Sequence, residues 1–237
     1  LNVPLLIREV DDWQAVPDAL LKVCREQGVQ RLHYNDEYGV NEQRRDQAVT
    51  THLEAAGISV RGYLDQLLFT PGSVQTQSGS YFKVFSQFRK ACLAHLSVSL
   101  PACEPVPAAQ APLGITSDPI PTTVTGFPRP TDYLRALWPA GEAFAQRRLA
   151  AFVEDDLNEY HQRRDLPAEP GTSQLSAYLA GGVISIRQCL HAALGYNQGE
   201  LDSGSTGVTT WINELLWREF YKHILVGYPR VSMYRAF

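Results

Sequence analysis

WINELLWREFY, residues Trp211 to Tyr221, has the spacing of a buried helix that carries charged groups on one face. That face would hold an acid, a base and two large aromatic rings, namely Glu214, Trp217, Arg218 and Tyr221. The opposite side is apolar, so we expect the helix to lie inside a large helical domain. Two interpretations stay open: an ion pair between Glu214 and Arg218, worth about 0.2–0.5 kcal/mol, or a cleft for a planar, polar ligand.

The string GTSQLS at residues 171–176 gathers three hydroxyl groups where a helix is expected to begin, at Thr172 or Ser173. The start of a helix offers free N–H groups and the positive end of the helix dipole, and together these bind phosphate. The alternative is ordinary N-capping by one of the hydroxyl groups, which needs no ligand. This string alone leaves both interpretations open.

The first 66 residues alternate strands with helices, which is typical of a parallel α/β structure. Asp11 and Asp12 are candidate helix caps, and Gly28 and Gly57 are expected to end two helices. We predict strands at residues 3–10, 29–34 and 58–61, and helices at residues 13–27 and 41–56. Because an open parallel sheet needs more strands than these, we expect others to precede Leu1.

A connector is predicted to follow the α/β part. Residues 81–96 have the spacing of an amphipathic helix, and residues 101–130 hold eight of the fifteen prolines. Such a density of proline excludes regular secondary structure, because proline removes a hydrogen-bond donor and restricts the backbone. We therefore predict a largely extended chain there.

The last third of the chain is predicted to be helical throughout. Ser185 and Gln188 are spaced as a capping box. The helix that contains WINELLWREFY is expected to run from Thr210 to Gly227. We predict three parts in all: residues 1–66 as part of an α/β domain, 67–141 as the connector and 142–237 as part of a helical domain.

Composition limits the partners. The net charge of −4 argues against a broad electrostatic grip on nucleic acid, so DNA binding would depend on a local patch. No apolar run approaches the roughly 18 residues that span a bilayer, and we expect no membrane partner. The four cysteines are widely separated and form no CxxC motif. This pattern indicates reduced thiols in the cytoplasm, without a metal site or disulfides.

Three strings together resemble the flavin domain of class I DNA photolyases, which repair cyclobutane pyrimidine dimers. They are Tyr160 with Arg-Asp-Leu-Pro at residues 164–167, TSQLS at residues 172–176, and WINELLWREFY. The resemblance implies that Tyr160 and the second string hold the phosphates of flavin adenine dinucleotide (FAD), the residues of that string being Thr172, Ser173, Gln174, Leu175 and Ser176. Relatives often have arginine at the position of Gln174, so one phosphate contact is expected to differ here.

The resemblance also implies roles on the helix of WINELLWREFY. Trp211 would line the flavin pocket, Glu214 would hydrogen-bond the dimer, and Trp217 would stack against it. The DNA-binding residues would be Arg164, Glu214, Trp217, Arg218 and Tyr221, with Arg164 and Arg218 at the DNA backbone.

The segment YNDEYGVNEQRRD resembles the part of the family that binds a folate antenna, methenyltetrahydrofolate. Its ligands would be Asn41 and Glu42, although the same two residues would also serve to begin a helix. Folate-binding relatives have Cys-Lys where this chain has Ser232 and Met233. Loss of that lysine predicts weak folate binding or none.

The function that the resemblance implies is light-driven repair of pyrimidine dimers in DNA, by electron transfer from reduced FAD to a flipped-out dimer. The partner would be damaged DNA, and the protein is expected to be a monomer. Alternatives are a cryptochrome, which is a blue-light photoreceptor on the same scaffold, a (6-4) photolyase, and a non-catalytic helical DNA-binding module. Since the first residue is Leu1 and the only methionine is Met233, we expect a part of a longer protein, inactive by itself.

Overall fold

The computed structural model describes all 237 residues, from Leu1 to Phe237. An α/β part with a small two-stranded sheet precedes a helical part, which confirms the predicted fold class. The strands are β1 (Arg31–Asn35) and β2 (Ser59–Tyr63), and the α-helices are α1 (Val16–Gln27), α2 (Val40–Ala55), α3 (Phe85–Val98), α4 (Asp132–Leu137), α5 (Glu142–Ala151), α6 (Tyr160–Arg163), α7 (Ser176–Ala180), α8 (Ile186–Tyr196) and α9 (Thr206–Gly227). No helix combines the length and the apolar character that crossing a membrane requires.

The chain forms two compact units whose segments alternate along the sequence. The first unit contains residues 1–32, 45–61 and 103–139, and the second contains residues 33–44, 62–102 and 140–237. All helices from α5 onwards therefore belong to the second unit.

The first unit is built on α1 and the larger part of α2. Asp12 caps the 3-10 helix at Trp13–Ala15, which leads into α1, by accepting the N–H groups of Gln14 at 2.8 Å and Ala15 at 3.0 Å. Gly28 ends α1 in the left-handed region, with φ 64°. These boundaries match the sequence prediction. The core is formed by Leu21, Cys24, Val49, Leu53 and Ile58.

β1 and β2 pair in parallel. The N–H of Ser59 donates to the carbonyl of Gln30 at 3.0 Å, and the N–H of Asp36 donates to the carbonyl of Tyr63 at 2.9 Å. Residue numbers rise together on both strands, so the strands run in the same direction. The segments that follow the two strands consequently leave the sheet at the same edge.

The predicted strand at residues 3–10 is wrong. These residues run beside residues 110–118 and form scattered hydrogen bonds rather than a ladder. The side chain of Ser117 accepts the N–H of Leu5 at 3.0 Å, and that of Asp118 accepts the N–H of Ile7 at 2.7 Å. Because side chains satisfy these backbone donors, no second strand is needed. The Ile7 N–H, together with Arg8, also lowers the pKa of the Asp118 carboxyl group.

The prediction that residues 101–130 lack regular secondary structure is confirmed, whereas the connector bounds of 67–141 stay a prediction. Residues 101–130 contain no helix or strand, apart from one isolated bridge between Val124 and Phe127. The short helix α4 follows, capped by Thr131, whose hydroxyl group accepts the N–H of Leu134 at 3.2 Å. Proline density therefore marks the irregular stretch correctly.

The second unit is organised around α9, which packs against α3, α6 and α8. The helix begins at Thr206, four residues before the predicted start at Thr210, because Ser205 is the last extended residue. Gly207 allows a close approach to the carbonyl groups of Leu157 and Asn158, where a Cβ atom would overlap with both. The buried apolar residues of α9 are Val208, Trp211, Ile212, Leu215, Leu216, Phe220 and Ile224.

An irregular helical stretch joins α5 to α6. It consists of a π-helix at Phe152–Asp156 and a 3-10 helix at Leu157–Glu159. π-Helices are rare and occur mostly as single turns, often at functional sites. This stretch determines where Tyr160 and Arg164 project, since both follow it directly.

Candidate functional site

A cavity of about 500 Å³ lies within the second unit. Its volume is in the usual range for small-molecule sites, about 300–1,000 Å³. The structure brings together six of the residues predicted from the sequence, which are Tyr160, Ser173, Ser176, Trp211, Glu214 and Arg218. The rest of the lining comes from Glu37, Gln66, Leu179, Ala180, Leu215 and Lys222.

Tyr160, Arg164 and Glu214 form one wall. Arg164 donates to Oε1 of Glu214 in an ion pair, and its guanidinium lies 5.9 Å from the centroid of the Tyr160 ring. Burial, and then the charge of Glu214, raise the pKa of the Tyr160 hydroxyl group. Tyr160 therefore stays a neutral hydrogen-bonding group at the edge of the cavity. Glu214 is paired with Arg164, rather than with Arg218 on its own helix.

The predicted start of the helix in the GTSQLS string is wrong. α7 begins at Ser176, not at Thr172 or Ser173, because Gln174 has a left-handed backbone, with φ 49°. Ser173 and Ser176 line the cavity, whereas Thr172 is exposed and lies outside the lining. With only five residues, α7 is too short for the predicted helix-dipole effect. The chemistry of this wall is that of its hydroxyl groups.

Two contacts hold the same string in place. Leu175 is buried, and Gly171 lies so close to Arg163 that a Cβ atom would stand 2.5 Å from the Arg163 Cβ. Arg163 is itself fixed by Asp156 at 2.6 Å and Glu169 at 3.3 Å. The absence of a side chain at Gly171 therefore lets the string pack against α6.

The side chain of Arg218 hydrogen-bonds to backbone carbonyl groups. It donates to the carbonyl of Gln66 and, at 3.4 Å, to that of Leu179. Burial lowers the pKa of its guanidinium, and the charge of Glu219 opposes this shift. The side chain of Arg218 is half-buried in the cavity wall. Its contact with a DNA backbone stays a prediction.

Trp217 and Tyr221 lie outside the lining of the cavity. The Trp217 ring stacks on Phe85, with 3.7 Å between ring centroids and 11° between planes. Tyr221 lies 5.5 Å from Trp217 at an interplanar angle of 25° and is largely exposed. We name Phe85, Trp217 and Tyr221 the aromatic stack. Its aromatic character fits a stacking platform, but the structure separates it from the cavity lining.

Sequence reasoning missed Lys222, Glu37 and Gln66. Lys222 follows Glu214 and Arg218 at helical spacing, so the pattern of α9 contained the signal. Glu37 and Gln66 follow the ends of β1 and β2, where parallel sheets place their binding residues. Burial and then the charge of Arg218 lower the pKa of Lys222, whereas Glu37 and Glu42 oppose that change.

The predicted folate ligands occupy the surface of the second unit. Asn41 is exposed and Glu42 is half-buried, both in the first turn of α2. Met233 ends a 3-10 helix at Pro229–Met233 and is 41% exposed. The charge of Glu42 reaches Lys222, which links this surface electrostatically to one side of the cavity.

The chain is similar to known proteins along its whole length. The DNA photolyase family model matches residues 1–110. A deoxyribodipyrimidine photo-lyase of Escherichia coli (strain K12) is 39% identical over 236 residues, which cover all of this chain and 48% of that protein. The chain spans about half the length of the curated relatives that it matches. The resemblance predicted from the motifs is confirmed.

Solved structures agree on the fold. A bacterial class III photolyase from Agrobacterium tumefaciens has a TM-score of 0.70 and 28% identity, covering 91% of this chain and 44% of that one. A cryptochrome from Synechocystis sp. PCC6803 has a TM-score of 0.69 and 21% identity, covering 90% of this chain and 45% of that one. The second likeness shows a shared fold alone.

Proposed function

We propose that this chain, which is related to DNA photolyases along its whole length, takes part in light-driven repair of cyclobutane pyrimidine dimers in DNA. The observation that carries the proposal is the cavity, which unites Tyr160, Ser173, Ser176, Trp211 and Glu214. These residues come from three separate strings of the sequence. The family resemblance implies that each string contacts the cofactor or the dimer.

FAD is the cofactor that these residues fit. The hydroxyl groups of Tyr160, Ser173 and Ser176 can donate to phosphate oxygens, and the indole of Trp211 offers a flat apolar surface to a ring. When bound, the flavin supplies light absorption and the transferable electron. The chain's own residues bind and orient it, and exclude water from the apolar side of the cavity.

Glu214 is the residue we assign to the dimer. Its side chain is 34% exposed and is oriented by Arg164, so the carboxyl group is positioned without being enclosed. A carboxyl group in that position can hydrogen-bond the polar edge of an extruded pyrimidine pair. Trp217 is assigned to stacking, with Phe85 supporting its ring.

The proposal is tested with protein expressed from the complete gene. An oligonucleotide with one thymine dimer should be repaired under blue light and not in the dark. Glu214→Ala should lower the repair rate while flavin stays bound, and Glu154→Ala, a change at an acidic residue of the π-helix, should not. Flavin-loaded protein that binds DNA but never repairs the dimer would contradict the proposal.

That last result would favour the cryptochrome alternative. It is the second candidate because Trp217, which the resemblance assigns to the dimer, lies outside the cavity lining. Repair under blue light decides between the two functions, because only a photolyase changes the dimer chemically. We further propose a cytoplasmic monomer, in keeping with the free thiols of all four cysteines.

Methenyltetrahydrofolate is the second proposed cofactor, held weakly by Asn41 and Glu42. Met233 cannot supply the charge that a lysine offers to an anionic folate. We expect Met233→Lys to raise folate occupancy, measured by absorption spectra and cofactor extraction from purified protein. Asn41→Ala should remove folate and leave repair intact. Full occupancy in the wild type, unchanged by Met233→Lys, would refute the importance of this position.

A further inference from the structure

The cavity follows α9 from Trp211 to Lys222, both of which line it. Since an α-helix rises about 1.5 Å per residue, these two residues lie about 16 Å apart along the helix axis. The proposed function assigns a flavin ring to the end at Trp211. At the other end Arg218 donates to the carbonyl groups of Gln66 and Leu179, so these two lining residues lie near Lys222 rather than near Trp211. This polar end of the cavity has no ligand assigned to it.

The backbone around Gln66 is fixed by side chains of α8 and α9. Arg187 donates to the two carbonyl groups that precede Gln66, at 2.9 and 3.3 Å, and Arg218 donates to that of Gln66 itself. On the other side Glu219, which is fully buried, accepts the N–H groups of residues 68 and 69 at 3.1 and 2.9 Å. The side chain of Gln66 therefore projects from a fixed point of the cavity wall, which is the arrangement that a preorganised binding residue requires.

The amide of Gln66 differs chemically from its neighbours at this end. The ammonium of Lys222 can only donate hydrogen bonds, and the carboxylate of Glu37 can only accept them, whereas an amide carries an acceptor oxygen beside two N–H donors. Adenine presents the complementary pattern, an amino group next to a ring nitrogen, and a glutamine side chain binds both at once. Leu179 and Ala180 add apolar surface for the faces of a base. The polar end thus fits a neutral nucleobase.

We propose that Gln66 binds the adenine edge of the dinucleotide, so that the cavity prefers FAD to flavins that lack adenine. The inference rests on the proposed function, because it takes FAD as the occupant. With the flavin ring at Trp211 and the phosphates at the hydroxyl groups of the opposite wall, adenine is the part that remains to be placed. That wall leads to the polar end, because Leu179 follows Ser176 on α7 and Arg218 donates to the carbonyl groups of both Leu179 and Gln66.

The test measures the binding of FAD, ADP and flavin mononucleotide (FMN) to flavin-free protein expressed from the complete gene. Gln66→Met keeps the length of the side chain and removes its amide, so it should weaken the binding of FAD and ADP by about tenfold, the scale of two lost neutral hydrogen bonds. FMN, which has the flavin ring and a phosphate but no adenine, should bind as before. Gln87→Met is the matched control, because Gln87 is an exposed glutamine of the same unit that lies outside the cavity lining.

Three outcomes would overturn this inference alone. They are unchanged FAD binding by Gln66→Met, equal weakening of FAD and FMN, which would assign Gln66 to the shape of the cavity, and a wild type that binds FAD and FMN equally.

A base of DNA has a similar edge, so FAD-loaded protein is also titrated with undamaged and dimer-containing DNA. Gln66→Met should leave both DNA affinities as they are. Weaker DNA binding with unchanged FAD affinity would assign the amide to DNA and overturn the assignment to adenine. A wild type that binds neither FAD nor FMN would overturn the proposed function as well.

Discussion

The two sides of α9 treat their glutamates in opposite ways. Glu214 lines the cavity, is 34% exposed and forms an ion pair with Arg164. Glu219, one and a half turns further on, is fully buried and accepts the N–H groups of Leu68 at 3.1 Å and Phe69 at 2.9 Å. A carboxylate with backbone donors on both oxygens is committed to the fold. One that faces a cavity with a single arginine beside it stays available to a ligand.

Two arginines also hydrogen-bond the backbone of the segment that precedes Leu68. Arg187 donates to the carbonyl groups of Leu64 at 2.9 Å and Asp65 at 3.3 Å, and Arg218 donates to that of Gln66. Glu219 accepts the N–H groups of Leu68 and Phe69. Side chains therefore hydrogen-bond the backbone of nearly every residue in the segment 64–69. These charges fix the position of Gln66 in the cavity wall, so they act on the site through the backbone.

The largest expected effect separates the two glutamates directly. Glu219→Leu should lower the free energy of unfolding by about 3–5 kcal/mol, because two buried N–H groups lose their acceptor. Glu214→Leu should cost less than about 1 kcal/mol, since a partly exposed ion pair contributes little. Urea unfolding of both variants measures this. Losses of similar size would remove the distinction between the two sides of α9.

A second test uses Tyr38, which lies on the Glu219 side. Burial, and then the charges of Asp36 and Glu219, raise the pKa of its hydroxyl group from 10.0 to about 12. The folded protein therefore keeps this proton after the unfolded chain has lost it, and stability falls as pH rises from 10 to 12. Relative to Tyr38→Phe, the wild type should lose roughly 2–3 kcal/mol over that window.

Urea unfolding at pH 8, 10 and 11.5 follows this loss. The other tyrosines and the lysines also titrate at alkaline pH, but both proteins contain them. Their contribution to the pH dependence of stability therefore cancels in the comparison with Tyr38→Phe. Adding Glu219→Gln should reduce the alkaline loss, since one of the charges that raise the pKa disappears. Parallel pH curves for the wild type and Tyr38→Phe would show that the hydroxyl group titrates normally.

The smallest effect concerns the aromatic stack. Trp217→Ala should reduce the preference for dimer-containing over undamaged DNA by about 1–3 kcal/mol, the range for one stacking contact. Phe85→Leu is the control, because it removes the supporting ring and keeps Trp217, and its loss should be smaller. Binding titrations with both DNAs measure the preference. Equal weakening on both DNAs would assign Trp217 to packing.

Much of the fold was predictable because its signals are local. The capping box is present at Ser185 and Gln188, and Gly28 ends α1 as its position predicts. Hydrophobic spacing placed α2 and α9 within a few residues of their true bounds. The cavity was half predictable for a similar reason, since Glu214 and Arg218 repeat at helical spacing and Lys222 continues it.

What escaped prediction depends on distant partners. The acceptor role of Glu219 requires Leu68, which is 151 residues away. The backbone turn at Gln174 and its bond to Arg148 join two segments that no local pattern connects. Residues 3–10 have the composition of a strand, but the side chains of Ser117 and Asp118 accept two of their backbone N–H groups. Tertiary contacts decide such cases, and a single sequence does not display them.

The π-helix at Phe152–Asp156 makes chain length a determinant of the site. An α-helix turns about 100° for each residue, so one residue more or fewer before Tyr160 would rotate its side chain by about that angle. A related chain could keep every cavity residue and still direct this tyrosine away from the cavity. Insertions and deletions here therefore carry information that residue identity does not. In protein engineering, residues 152–159 are a segment whose length must be preserved before any side chain is changed.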